Sequence, residues 1–253
     1  MSEAGVGLDL ARTRDLGTLL SDSFRVMRDH PGAILTIAAA IVAPVHLVVS
    51  GIGLERLTSP YWDDPGRAEQ LIPTVVSFFV IAPLVAAATI HMLRALAEGR
   101  PPRAAGCLQG GLDAFAPLFL AVLIAAAGIA VGLAALVLPG LYLLVRWLFV
   151  AQCVVIEDKR GFDALARSGQ LIRDNWWRSF GIVLVTQLIA AIPAILVSVP
   201  LAATAESADR ELPRLAGDML VDVVTVPFVA IVTTLLYYDL RARRDHALAT
   251  QLD

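Results

Sequence analysis

Apolar residues along this chain run in long blocks divided by short polar stretches, and strict apolar–polar alternation is absent from the blocks. Six blocks predict helices across a membrane, at about 32–53, 71–96, 115–138, 141–157, 178–203 and 217–238. Crossing hydrocarbon as a helix takes roughly 17–25 apolar residues, and each block meets that length. Pro139-Gly140 falls between the third and fourth blocks and predicts a tight helix–helix turn there. The fold class that follows is all-α, with six transmembrane helices.

The polar stretches have a pattern of their own. Over residues 162–176, Phe162, Leu165, Gly169, Ile172 and Trp176 recur at spacings of three and four. Asp163, Arg167, Gln170, Arg173 and Asp174 fall opposite them, which predicts an amphipathic helix. Such a helix suits the membrane interface, with its basic groups toward anionic headgroups. Trp176 and Trp177, flanked by Arg173 and Arg178, are expected to anchor it at headgroup depth, where an indole is apolar on its faces and polar at its N–H.

Residues 16–27 repeat the plan, with Leu16, Leu19, Leu20, Phe24 and Met27 against Asp22, Arg25, Arg28 and Asp29. SFRVMRDH at 23–30 aligns with SGQLIRDN at 168–175, and a weaker copy, CLQGGLDAF, stands at 107–115. Interfacial helices are therefore expected before spans one and five, and a weaker one before span three. The reading is a threefold unit of one interfacial helix and two spans. The alternative stays open: unrelated amphipathic helices before a span look alike. The expected divisions are a cytoplasmic amphipathic N-terminus at 1–31, a six-span region at 32–238 and a cytoplasmic tail at 239–253.

Charge orients the spans. With the N-terminus inside, fifteen Lys and Arg residues fall on the cytoplasmic side and four outside (Arg56, Arg67, Arg210 and Arg214), while Arg146 lies within a span. The positive-inside rule then predicts both termini in the cytoplasm; the expected location is the plasma membrane.

Composition agrees: 57% of residues are hydrophobic, 17% are charged, and mean hydropathy is +0.72. A soluble domain carries roughly 25% charged residues. A net charge of −3 gives no reason to expect a nucleic-acid partner. Cys107 and Cys153 lack metal-ligand spacing, so neither a disulfide nor a metal site is expected. The first block follows about 30 polar and amphipathic residues and reads as an uncleaved span.

Ionisable groups inside spans are costly and point to function. Arg146 is the clearest, and Asp218 and Asp222 enter span six. A pair between Arg146 and Asp222, with Asp218 nearby, is the expected polar site. His46, His91 and Gln187 are further candidates, with hydrogen bonding between helices as the simpler reading. Pro44, Pro83, Pro193 and Pro227 lie in spans, as proline commonly does in membrane helices. No hydrolase, phosphate-loop or metalloprotease motif is present, and no extramembrane segment is long enough for a catalytic domain. No enzyme activity and no cofactor are expected.

The stretch LPGLYLLVRWLFVAQCVVIEDKRGFDALARSGQLIRDNWWRSFGIVLV, together with TLLYYDLRARRD at 234–245, resembles a bacterial family of membrane proteins. It is the glycerophosphoryl diester phosphodiesterase membrane-domain family. The matching residues are Pro139-Gly140, Arg146-Trp147 and Glu157; then Ala164-Leu165, Ser168, Leu171, Arg173, Arg178 and Gly181; and last Tyr237-Tyr238-Asp239-Leu240-Arg241. The resemblance implies a six-span accessory region. It does not imply phosphodiesterase activity, because the family's soluble catalytic domain is missing from this sequence. The expected role is a non-enzymatic scaffold, lipid-organising protein or accessory membrane subunit. Its expected partners are membrane lipids with anionic headgroups and a membrane or cytoplasmic protein. The alternative is a small transporter or lipid-handling channel with its polar site near Arg146 and Asp222.

Overall fold

The structure, a computed structural model, describes residues 9–10, 12–51, 74–203 and 211–250. The expected outer loops, with Arg56, Arg67 and Arg210, lie outside the described residues, as do residues 1–8. In chain order the elements are α1 (Leu16–Asp29), α2 (Pro31–Gly51), a π-helix (Ser77–Ile81), α3 (Ala82–Ala97), α4 (Ala104–Asp113), α5 (Phe115–Ala135), α6 (Val137–Arg146), α7 (Val150–Glu157), α8 (Gly161–Ile172), α9 (Trp176–Ala203) and α10 (Glu211–Thr250). Among the described residues six segments are long and apolar enough to cross a membrane: Pro31–Val49, Thr74–Ala97, Phe115–Ala135, Val137–Glu157, Trp176–Val197 and Ala216–Asp245. Each overlaps a block seen in the sequence, with ends shifted by up to seven residues: the fifth segment stops at Val197 and the sixth runs on to Asp245. Among the described residues the chain is all-α.

A short helix followed by two spans occurs three times in this order, led by α1, α4 and α8. Each short helix packs against the closing half of a second span: α4 on α3, α8 on α7, and α1 on α10. Phe24 of α1 meets Phe228 of α10 with ring centroids 5.0 Å apart. The apolar faces of these helices are thus covered by protein more than the amphipathic pattern suggested. In α8, Ala164, Leu165, Ser168, Gly169, Leu171 and Ile172 are buried, and Phe162 alone of the expected stripe's first four residues is exposed. In α1, Leu19, Ser23 and Val26 are buried while Leu16 and Phe24 stay open.

Small residues allow that close approach. A Cβ on Gly111 of α4 would sit 3.2 Å from the backbone of Ala88 in α3, and one on Gly110 would strike the His91 ring. Backbones pack closely in membranes where glycine, alanine and serine line the contact.

The fourth span is broken. Its two helices, α6 and α7, are separated by a turn at 147–149, and α8 packs across the break. The Ser168 hydroxyl repairs the lost helix bonds: it donates to the carbonyl of Arg146 at 2.9 Å and accepts from the N–H of Phe149 at 3.1 Å. Buried backbone groups need such partners, which is why a serine stands there.

The hairpin between the third and fourth spans also differs in detail from the expectation. Its turn is Leu136, in extended conformation (φ −163°, ψ 145°), and Pro139-Gly140 lie inside the first turns of α6. Proline is tolerated there because early helix N–H groups lack partners anyway. Gly140 is required by contact: a Cβ would come within 2.7 Å of the backbone of Leu133, and Gly132 faces it from α5.

Candidate functional site

Polar side chains gather at several places in the apolar bundle, and among the described residues three of these groups contain charged residues. The first joins three elements inside the membrane-spanning region. His46 Nε2 of α2 lies 3.0 Å from Asp222 Oδ2 of α10, and the Ser77 hydroxyl donates to the same oxygen at 3.2 Å. Ser77 opens the π-helix, whose wider turn shifts the register of the side chains that follow; such turns recur at functional sites. Asp222 is therefore a polar span residue with a partner, as the sequence suggested, but the partner is histidine. The expected Arg146–Asp222 pair does not form, and Asp218 is exposed beside this cluster in sequence. Helix breaks in the fourth span put Arg146 on a different neighbour.

The second cluster gathers carboxylates at the end of α7 and in the C-terminal half of α10. Glu157 holds Arg167 through two bonds, at 2.6 and 2.9 Å, and accepts the Tyr237 hydroxyl at 2.6 Å. Asp239, fully buried, accepts the backbone N–H of Arg14 at 2.6 Å, Arg178 Nη1 at 2.6 Å and Arg243 Nε at 3.1 Å. Arg178 and Arg243 also donate to the carbonyl of Arg14, at 2.6 and 2.9 Å, while Arg14 Nε reaches Asp22 at 2.9 Å. The chain entering α1 is thereby tied to α9 and α10. Sequence reasoning singled out Arg178 as a headgroup anchor; the structure gives it an internal carboxylate instead. Glu157 and Asp239 were visible only as family-motif residues, and their partners Arg167 and Arg14 carried no signal of pairing across such sequence distances.

The third cluster lies where α6 meets the α8–α9 corner. Trp176 is stacked between Tyr142 (5.9 Å, 21° between ring planes) and Phe180 (5.4 Å, 7°), with Trp177 edge-on at 4.8 Å. The Trp176 indole donates to the carbonyl of Tyr142 at 3.3 Å. Arg146 donates to the Tyr142 hydroxyl at 2.8 Å, and its guanidinium carbon stands 5.8 Å from that ring's centre, within cation–π range. Its stem passes Gly169 of α8, where a Cβ would meet Nε at 2.8 Å. Arg173, exposed at the turn after α8, lines a groove of 680 Å³ together with Leu138, Tyr142, Trp176 and Phe180; Arg146 adjoins it through Tyr142. Among the described residues no carboxylate pairs with Arg146 or Arg173.

The remaining candidates separate. His91 packs its ring on Gly110, and Gln187 is exposed on α9. Gln152, buried on α7, donates to the hydroxyls of Thr233 and Thr234, each at 3.3 Å, and so joins two spans. Both cysteines are free and buried.

Fold and clusters together define a multi-pass, all-α membrane protein. Residues 104–240 match the family described as a domain of unknown function, DUF7847, and the chain belongs to that family. The match runs from α4 into α10, so it covers the second and third of the three helical units. No curated protein and no solved structure matches the chain.

Proposed function

We propose that this protein is a non-enzymatic accessory or scaffold component of the plasma membrane that organises lipids or a partner subunit, with both termini in the cytoplasm. The observation that carries this reading is the separation of its polar groups. Arg146 sits at the α6–α9 corner, His46 and Asp222 pair elsewhere, and Gln187 faces outward. A channel or transporter needs polar groups that converge on a shared path; these are dispersed among apolar contacts. The resemblance to the membrane-domain family noted in the sequence supports the accessory role, in which a catalytic domain would belong to another chain. The strong Lys/Arg bias supports the orientation.

A second reading draws on one observation. His46, Asp222 and Ser77 converge from three elements inside the spans, and an intramembrane His–Asp pair is the kind of group that proton-coupled transporters use.

The experiment is purification in mild detergent from native membranes, with mass spectrometry of what co-purifies. Stoichiometric recovery of another protein supports the accessory role. Proton uptake into proteoliposomes, abolished in His46→Gln and Asp222→Asn, would favour the transporter instead.

A further inference from the structure

The α6–α9 corner combines features that a structural clip does not need. Arg146 is half-buried in a membrane-spanning segment and has a phenol, not a carboxylate, as its partner. An uncompensated guanidinium at membrane depth is costly, and an anion supplied from outside the chain would remove the deficit. Gly169 keeps the seat clear: any side chain there would displace Nε. Arg173 adds a second guanidinium whose forked N–H groups suit phosphate.

The walls have the other half of a lipid's chemistry. Tyr142, Trp176 and Phe180 form a continuous stack, and Trp177 is 78% exposed beside it. Indoles favour the depth at which glycerol and ester groups lie. From the groove, exposed apolar residues continue in two directions. Leu138 is 77% exposed on α6, and Leu184 and Leu188 follow Phe180 at four-residue spacing along α9. They form tracks on which acyl chains can lie.

We propose that this groove binds one anionic glycerophospholipid, its phosphate held by Arg173, its glycerol region against Trp176 and Trp177, and its charge balanced by Arg146, which adjoins the groove through Tyr142. This deepens the lipid-organising reading above and rests on it. Charge sets the preference. Among the described residues Asp174 is the one acidic side chain lining the groove, set against Arg173 and Arg178 and the adjoining Arg146, and Arg178 is already held by Asp239. A zwitterionic headgroup brings a choline or ethanolamine cation to those arginines, whereas phosphatidylglycerol does not.

The test is native mass spectrometry of the full chain, delipidated in detergent and titrated with phosphatidylglycerol or phosphatidylcholine. Wild type is expected to retain one phosphatidylglycerol more strongly than phosphatidylcholine. Arg173→Gln should weaken that binding by about tenfold, the scale of a lost charge-assisted contact, and Arg146→Gln by at least as much. Asp174→Asn should strengthen it, a sign that loss of structure would not produce. Because Arg146→Gln could disturb the bundle, the exposed Arg173 and Asp174 variants decide the matter. Equal retention of the two lipids by wild type, or wild-type retention by both exposed variants, overturns the site. A protein partner that still co-purifies with Arg173→Gln, while phosphatidylglycerol binding shows no preference, sinks the site alone and leaves the accessory reading standing.

Discussion

Two regions of this molecule use arginine in opposite ways. Around the end of α7 and the C-terminal half of α10, Arg167, Arg178 and Arg243 each meet a carboxylate, and Arg14 is closed in between Asp22 and the acceptors around it. At the α6–α9 corner, Arg146 and Arg173 have none among the described residues. In the first region Arg14, Arg167, Arg178 and Arg243 all meet acceptors, and the chain's N-terminal entry, three spans and α8 are locked together. The second is rigid in its aromatic frame yet unmet in charge. The same side chain therefore serves as a fastener in one place and, in our reading, as a receptor in the other.

The sharpest way to break the contrast is Asp239→Asn. It leaves the guanidinia of Arg178 and Arg243 without their counter-charge, and removing one partner of a buried pair costs about 3–5 kcal/mol. The partial exposure of both arginines puts the expected loss toward the lower end. Thermal unfolding in detergent, followed by tryptophan fluorescence, should show a clear fall in Tm. An unchanged Tm would mean that the network is ornamental.

Glu157→Gln tests the neighbouring node and should cost less, about 1.5–3 kcal/mol, since bonds to a charged group are of that order and Arg167 can turn to water. Tyr237→Phe combined with it should be less than additive, because Glu157→Gln already weakens, by removing its charge, the bond that Tyr237→Phe deletes. Strict additivity in a double-mutant cycle would show that Tyr237 acts through packing alone.

The His46–Asp222 contact sits between the two regimes. Hydrogen bonds between membrane helices average about 0.6 kcal/mol in such cycles, and a coupling near that value between His46→Gln and Asp222→Asn is expected. A coupling several times larger would mark the pair as more than an interhelical tie and strengthen the transporter reading.

The smallest effect on stability belongs to Arg173→Gln. As an exposed residue without a partner it should shift unfolding by no more than about 0.5 kcal/mol, even as it lowers phosphatidylglycerol binding. A marked destabilisation would place Arg173 among the fasteners and remove the contrast.

Periodicity and block length alone determined the all-α class, the six spans and the amphipathic helices α1 and α8. Those follow from how far a helix must run to cross hydrocarbon and from the 3.6-residue repeat, both local properties. The aromatic and basic character of Trp176, Trp177 and Arg173 was equally open to view. Only the tertiary structure decided who meets whom. Arg146 and Asp222 looked like partners because they stand at similar distances from span ends, yet depth along a helix says nothing of direction around it. The break at 147–149, bridged by Ser168, turned Arg146 toward Gly169, and the π-helix brought Ser77 to Asp222 beside His46. The amphipathic face of α8 could have met lipid or protein, since an apolar stripe is buried equally well by either; packing chose protein. Glu157 with Tyr237, and Arg14 with Asp239, lie 80 and 225 residues apart. No local pattern encodes such pairs, because what joins them is the closure of the bundle itself.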